Sequence, residues 1–362
     1  MIKLFIQEYI SLFSFLNLFN FITFRTGAAI LTSLFFSLIF GKMIISSLSK
    51  LQPVGQPIRN DGPETHILQK TGTPTMGGIL IILSILISFF IWCDLKNIFV
   101  WISTLSLLSF GLIGLYDDYK KTQSRSSIGL NAKYKIIIQI IFCIIITFII
   151  IENLNRNIGT AIAFPFFKDL IINFGLFYYL IGFFIIVGSA NAVNLTDGLD
   201  GLAIVPVMIV AMTFALICYV TGNAFFAKYL LINYIPGTGE LAVFCGSVIG
   251  AALGFLWFNA PPAKVFMGDT GSLALGASLG SIAIMVKHEI VLAIVGGLFV
   301  LETLSVIIQV VSFKLTGKRV FMMAPLHHHF EKKGWAESTI VIRFWIITVV
   351  LALIGLATLK IR

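Results

Sequence analysis

Asn191–Ala203 reads NAVNLTDGLDGLA and separates two long apolar runs. Asp197 and Asp200 sit in it with Asn194, Thr196, Gly198 and Gly201, in a chain that carries few acid groups elsewhere. Ionisable groups beside lipid are costly and tend to mark a site. The flanking runs, 172–190 and 202–220, decide the fold. Each approaches the roughly 20 mostly apolar residues that a helix needs to cross a bilayer.

Outward from this stretch the alternation of apolar run and polar connection continues. Ten segments qualify as spans: 26–48, 76–93, 98–116, 136–151, 172–190, 202–220, 241–258, 271–286, 290–313 and 340–359, with 271–286 the weakest. Of 362 residues, 58% are hydrophobic and 11% charged, and the mean hydropathy is +1.00. A soluble chain carries about 25% charged residues. The expected fold class is therefore an all-α polytopic membrane protein of about ten transmembrane helices. Cys93, Cys143, Cys218 and Cys245 all fall inside apolar runs without a CxxC pair. They read as small buried side chains, not as a disulfide framework. The net charge of +9 raises the question of nucleic acid. No aromatic-interleaved basic module is present, so no nucleic acid partner is expected. In a membrane protein the basic residues first report orientation.

Outside the spans, fourteen lysines and arginines lie in the connections near 49–75, 117–135, 191–201, 259–270 and 314–339, against nine on the other side. The positive-inside rule puts the first set in the cytoplasm and both termini in the periplasm. Lys3 and an apolar run open the chain without a small-residue cleavage site. Residues 1–24 thus read as a retained interfacial or short re-entrant segment.

Every unusual polar motif lies in the same set of connections. In the first, Pro74 suits a helix start whose free N–H groups, with Lys70 nearby, could hold an anion. An ordinary Gly/Pro turn with a snorkelling lysine is the simpler reading. In the second, Asp117 and Asp118 close an apolar helix, where they oppose its dipole. Adjacent helical positions do not face each other, so at most one of the pair should point into a given site. In the third, Asp197 and Asp200 share a face if a helix has begun, and Gly198 and Gly201 permit close approach of a ligand. In the fourth, Pro261-Pro262 breaks a helix and Asp269 opens the next apolar segment beside Gly268, Thr270 and Gly271. Magnesium is typically held by one or two carboxylates plus substrate phosphates. Asp117, Asp118, Asp197, Asp200 and Asp269 come from three connections on one side and together could form such a site. In the fifth, His327, His328 and His329 cannot all point one way, and they lack the i, i+4 spacing of a helical zinc site. Binding of phosphate suits their basic context better. Glu302, Ser305 and Gln309 share one face of the ninth span, and an intramembrane glutamate is a functional candidate unless a neighbouring helix pairs with it.

These motifs resemble those of the phospho-N-acetylmuramoyl-pentapeptide transferases, a branch of the polyprenyl-phosphate N-acetylhexosamine-1-phosphate transferase superfamily. The residues that carry the resemblance are NDGPETH (60–66), KTGTPTMGG (70–78), YDDYKK (116–121), NAVNLTDGLDGLA (191–203), FLWFNAPPAKVFMGDTGSLALG (255–276), FVLETLSVIIQV (299–310) and APLHHHFEKKGW (324–335). The likeness extends from about Phe24 to Arg362. The acidic motifs are shared across the superfamily, and the HHH stretch points to the muramoyl-pentapeptide branch.

The resemblance implies one integral-membrane transferase domain over 1–362, with ten transmembrane helices, periplasmic termini and a magnesium-dependent site on the cytoplasmic face of the bacterial inner membrane. The implied reaction moves phospho-MurNAc-pentapeptide from UDP-MurNAc-pentapeptide to undecaprenyl phosphate, giving lipid I and UMP. The partners are then those two substrates and the lipid bilayer, and a homodimer is an open assembly state. The implied roles follow the matched positions. Asp269 would ligate Mg2+, and Asp117 would deprotonate or orient the lipid phosphate with Asp118 in support. Lys70, Asn194, Asp197, Asp200, Asn259 and Phe266 would hold the nucleotide, Phe266 as a stacking face. Lys121, Lys133 and His327, His328 and His329 would bind phosphates or the sugar-peptide. A related transferase using UDP-N-acetylglucosamine should lack the histidines. A secondary transporter would place its carboxylates mid-span, and only Glu302 fits that pattern.

Overall fold

The computed structural model describes residues 13–53, 55, 72–124, 126, 129–167 and 170–360. A short 3-10 helix, Ser14–Asn20, leads into α1 (Ile22–Leu51), followed by α2 (Gly78–Trp92), α3 (Ile98–Ser124) and α4 (Ala132–Asn153). A strand pair, β1 (Ala161–Ala163) and β2 (Ile171–Asn173), precedes α5 (Tyr178–Thr196) and α6 (Ile204–Thr221). The chain continues through α7 (Ala224–Leu230), α8 (Glu240–Asn259), α9 (Gly268–Met285), α10 (Glu289–Val295), α11 (Gly297–Thr316), α12 (Leu326–Lys332) and α13 (Glu337–Ala357).

The punctuation is local. Asn131 caps α4 by accepting from Lys133 N. Pro261 and Pro262 withhold backbone donors just beyond α8, and Gly317, at φ +69°, closes α11.

Eight of the described helices are long and apolar enough to cross a membrane, as a polytopic membrane protein requires. Two of the ten expected spans are absent from that set, for different reasons. α2 has 15 residues, about 22 Å at the helical rise. α9 carries Asp269, glycines and serines, and every residue from Thr270 to Met285 is buried within the protein. A helix shielded from lipid on all sides does not need a lipophilic surface.

Three further expectations are corrected. The protein is not purely helical: β1 and β2 pair antiparallel with Ile162 opposite Ile172. The segment between α4 and α5 has no helical ladder for its backbone groups, and its isoleucines suit a pleated surface. The expected span 290–313 is broken at Gly296, where adjacent glycines have poor helix propensity. α3 runs on to Ser124, so Asp117 and Asp118 lie two turns inside it and not at its dipole end.

α8 and α9 form the centre. Glycines 246, 250 and 254 line the face of α8 that meets α1; a Cβ at Gly250 would collide with Ile30 O and one at Gly254 with Ser37. Small residues at this spacing let two backbones approach without a hydrophobic driving force. The outer helices present apolar stripes, such as Ile137, Ile141 and Ile144 on α4.

The five connections that carry the motifs gather at one end of this bundle. Gly77 N and Gly78 N donate to Phe266 O and Met267 O at 2.8 and 2.9 Å. Lys135 reaches Asp269, Asp200 N donates to Glu337 Oε1 at 2.9 Å, and His327 lies against Gly198.

Candidate active site

Asp117 and Asp118 leave the same turn of α3 in different directions, and both are buried. Asp117 Oδ1 accepts from Leu130 N at 2.6 Å, and its Oδ2 pairs with Lys121 Nζ at 2.6 Å. Asp118 accepts from the backbone N–H groups of Asp269 and Thr270 at 3.2 and 3.0 Å and from Thr270 Oγ1 at 2.7 Å. It therefore caps the N-terminus of α9 from another helix, where a negative charge is favoured. This needs glycine at 268, whose φ is +72°; a Cβ there would stand 2.5 Å from Asp118 Oδ2.

Asp269, in the first turn of α9, completes the cluster. Its Oδ1 accepts from Asn194 Nδ2 at 2.8 Å. Its Oδ2 accepts from Lys135 Nζ at 2.5 Å and Lys121 Nζ at 3.1 Å. Burial alone would raise the Asp269 carboxyl; the Lys135 and Lys121 ammoniums outweigh it and hold it well below the usual carboxylate range. One oxygen from each of Asp117, Asp118 and Asp269 lies within 4.8 Å of the others. Adjacency in α3 thus does not exclude either aspartate from the cluster, contrary to the expectation for neighbouring helical positions. Their partners still differ, one being tied to α4 and the other to α9.

The donor set decides what this cluster suits. Among the described residues three carboxylates face two ammoniums, so acid groups outnumber cations in a largely buried place. Hard oxygen ligands of this kind fit a divalent cation such as magnesium, particularly with phosphate oxygens completing the shell.

The remaining expected residues fall into groups. Asn194, at the end of α5, touches the cluster and also reaches Ser272 Oγ at 2.8 Å. Asp197 is half-buried just beyond α5, and the 197–203 stretch is a turn, so Asp197 and Asp200 share no helical face. Asp200 Oδ2 accepts from Ala263 N at 2.9 Å. Asn259 bridges Gly201 N and Val265 O at 3.0 and 2.9 Å. Both tie the turn to the loop after α8. Phe266 is half-buried, its N–H bonded to Pro74 O. The same strap removes the expected anion site near Pro74, because helix starts only at Gly78 and the N–H groups of Gly77 and Gly78 already have carbonyl partners.

Lys121 belongs to the cluster. Lys133 is exposed in the first turn of α4, and Lys70 lies outside the described residues. His327 is fully buried; His328 Nδ1 meets Glu331 Oε2 at 2.6 Å, and His329 Nδ1 accepts from Met322 N at 3.1 Å. The three rings do point in different directions.

Sequence reasoning missed Lys135 as a site residue. Lys133 and Lys135 both follow the Asn131 cap, and their spacing shows that they cannot share a face. Nothing local says which face meets Asp269. Thr270 and Ser272 were equally hidden, since hydroxyls in a small-residue helix read as packing.

The Glycosyl transferase family 4 profile matches residues 99–287, and signature 1 of the phospho-N-acetylmuramoyl-pentapeptide-transferases matches residues 70–82. A phospho-N-acetylmuramoyl-pentapeptide-transferase from Pelagibacter ubique (strain HTCC1062) is 60% identical over 357 residues, spanning 99% of each chain. The chain belongs to this family. The matched stretch of this phospho-N-acetylmuramoyl-pentapeptide transferase family member runs from the start of α3 to just beyond α9 and contains Asp117, Asp118, Asn194 and Asp269. The signature covers Lys70 and the Pro74–Gly78 strap that holds Phe266.

Proposed function

We propose that the protein transfers phospho-MurNAc-pentapeptide from UDP-MurNAc-pentapeptide to undecaprenyl phosphate, giving lipid I and UMP. The observation that carries this reading is the buried Asp117–Asp118–Asp269 cluster closed by Lys121 and Lys135, in a chain 60% identical to a relative of that name. Phosphoryl transfer asks mainly for positioning and charge neutralisation, with little covalent work for the protein.

The residues divide that work. Asp269, with Asp117 and Asp118 beside it, would hold Mg2+, which when bound neutralises charge on the diphosphate. Asp117, hydrogen-bonded by Leu130 N and paired with Lys121, orients the lipid phosphate or takes its proton. Asp118 fixes the start of α9 and with it Asp269. Lys121 and Lys135 meet phosphate oxygens; Lys133, His328 and His329 face the sugar-peptide side. Asn194, Asp197 and Phe266 hold the nucleotide with Lys70, while Asp200 and Asn259 keep their turn in place.

An apolar cavity of about 290 Å³ lies among α5, α6, α9, α10 and α11. Its wall includes Ala192 and Val193, just before Asn194, and Gly276, two turns from Asp269. A prenyl chain lying there would bring its phosphate to the aspartates from the membrane plane. With α10 and α11 counted as one broken span, ten spans put the basic connections in the cytoplasm and both termini in the periplasm of a bacterial inner membrane. The whole chain then acts as one integral-membrane domain.

Purified protein with Mg2+, undecaprenyl phosphate and UDP-MurNAc-pentapeptide should release UMP and form lipid I. Failure to release UMP under those conditions would overturn the reading. UMP release with UDP-MurNAc-pentapeptide alone, with a phosphorylated protein trapped, would replace direct transfer by a two-step route through an aspartyl-phosphate.

A further inference from the structure

α11 faces outward along most of its length: Leu301, Leu304, Ile307 and Ile308 are exposed apolar side chains. Glu302 in the same helix is fully buried. A carboxylate in such a helix is costly and calls for a specific partner. Among the described residues His327 lies beside it, its Nδ1 3.3 Å from Glu302 Oε1 with no hydrogen bond formed. The hydrogen bond at that oxygen comes from the His327 backbone N–H, also at 3.3 Å.

The rest of this polar face grips the chain leading to His327. Gln309 Oε1 accepts from Val320 N and Phe321 N at 3.0 and 2.9 Å, and its Nε2 donates to Phe321 O at 3.0 Å. Beyond this grip the His327 ring is enclosed completely, and its Nε2 has no hydrogen-bond partner among the described residues. A Cβ at Gly198 would lie only 2.2 Å from that nitrogen. The imidazole therefore fills the space where a side chain at 198 would stand. Beside it, Leu199 and Leu202 of the same turn pack with Leu298, Ile340, Val341 and Phe344 in a small core separate from the main one.

We propose that Glu302 is a positioning residue which, through His327, sets the Asp197–Gly201 turn that forms the nucleotide wall. The inference rests on the transferase reading for the name of the nucleotide and on contacts alone for the geometry. Glu302 supplies an acceptor that fixes the start of α12, α12 presents the imidazole, and the imidazole fixes the turn. His327 then works by shape under Gly198 and not by touching phosphate. The mid-span carboxylate, the one feature that fitted a transporter, becomes part of the transferase site.

The test compares Glu302→Gln and Glu302→Leu in the full-length protein. The first keeps an acceptor; the second keeps the bulk and removes it. UMP binding is measured by titration calorimetry, and KM is measured separately for UDP-MurNAc-pentapeptide and undecaprenyl phosphate. Glu302→Leu should weaken UMP binding and raise the KM for UDP-MurNAc-pentapeptide about tenfold, the scale of one charge-assisted hydrogen bond. The KM for undecaprenyl phosphate should not move. Thermal unfolding of this variant should come somewhat earlier, because the buried His327 backbone N–H loses its acceptor, so the split between the two KM values, and not the melting temperature, reports positioning. Glu302→Gln should restore wild-type binding, and Gly198→Ala should reproduce the Glu302→Leu pattern by displacing the ring. Unchanged UMP affinity in Glu302→Leu, or equal loss for both substrates, would overturn the proposal. Wild-type protein that binds UMP yet turns over no substrate would defeat the transfer reading and leave the binding comparison intact.

Discussion

At one end of the bundle Asp117, Asp118 and Asp269 share Lys121 and Lys135; at the other, Arg25 meets Glu240, and Lys287 meets Glu289 and Tyr178. At the second end each of these cations has a carboxylate of its own among the described residues. Arg25 grips Glu240 through two bonds of 2.6 Å and also reaches Trp92 O. Lys287 Nζ donates to Tyr178 Oη, Gly159 O and Ala161 O, pinning the strand pair to the α9–α10 junction, and Tyr178 Oη donates to Glu289. These groups tie distant helices together and balance one another. At the aspartate end three carboxylates compete for two ammoniums, and Lys121 lies within reach of all three. The carboxyl left there without an ammonium of its own is what a divalent cation would answer. Burial of charge alone therefore does not mark a site. The imbalance does.

That contrast can be broken from either side. Asp117→Asn keeps an acceptor for Leu130 N and removes the charge. It should lower kcat about a thousandfold, as loss of a preorganised charge in the site does, with thermal unfolding little changed. Glu240→Leu strands Arg25 in a buried place and should cost about 3–5 kcal/mol of stability. The double variant Arg25→Leu/Glu240→Leu should recover most of it, and both should turn over normally per folded molecule. Lys135→Ala should lower kcat/KM about a hundredfold by removing a buried charge partner of Asp269, whereas Lys133→Ala should change only KM, by severalfold. Equal effects of the two lysines would erase the distinction drawn between their helix faces. Tyr178→Phe is the mildest: loss of one hydroxyl should cost about 1 kcal/mol in unfolding and leave UMP formation untouched.

Much of this was readable before any coordinate. Apolar runs of span length gave the helices, and the parity of the connections brought Asp117, Asp118, Asn194, Asp269 and the histidines to one end. What the sequence could not show falls into two kinds. Some contacts join residues far apart, as Arg25 and Glu240 do, and no local pattern encodes such a pairing. Others depend on which face of a helix meets which neighbour. That choice separated Lys135 from Lys133, turned Asp200 and Asn259 into ties for a turn, and hid His327 under Gly198. α9 shows the limit of hydropathy most clearly. Its glycines, serines and Asp269 make it the weakest candidate span, and it is the best-enclosed helix at the site because its partners, not lipid, surround it.

Asp269 is proposed to hold a catalytic magnesium ion. UMP formation by Asp269→Asn protein, followed across a Mg2+ titration beside the wild type, tests it most directly. The account predicts wild-type activity that rises and saturates with Mg2+, and a variant that unfolds at the wild-type temperature yet forms almost no UMP at any Mg2+ concentration. Full magnesium-dependent activity in Asp269→Asn would contradict it.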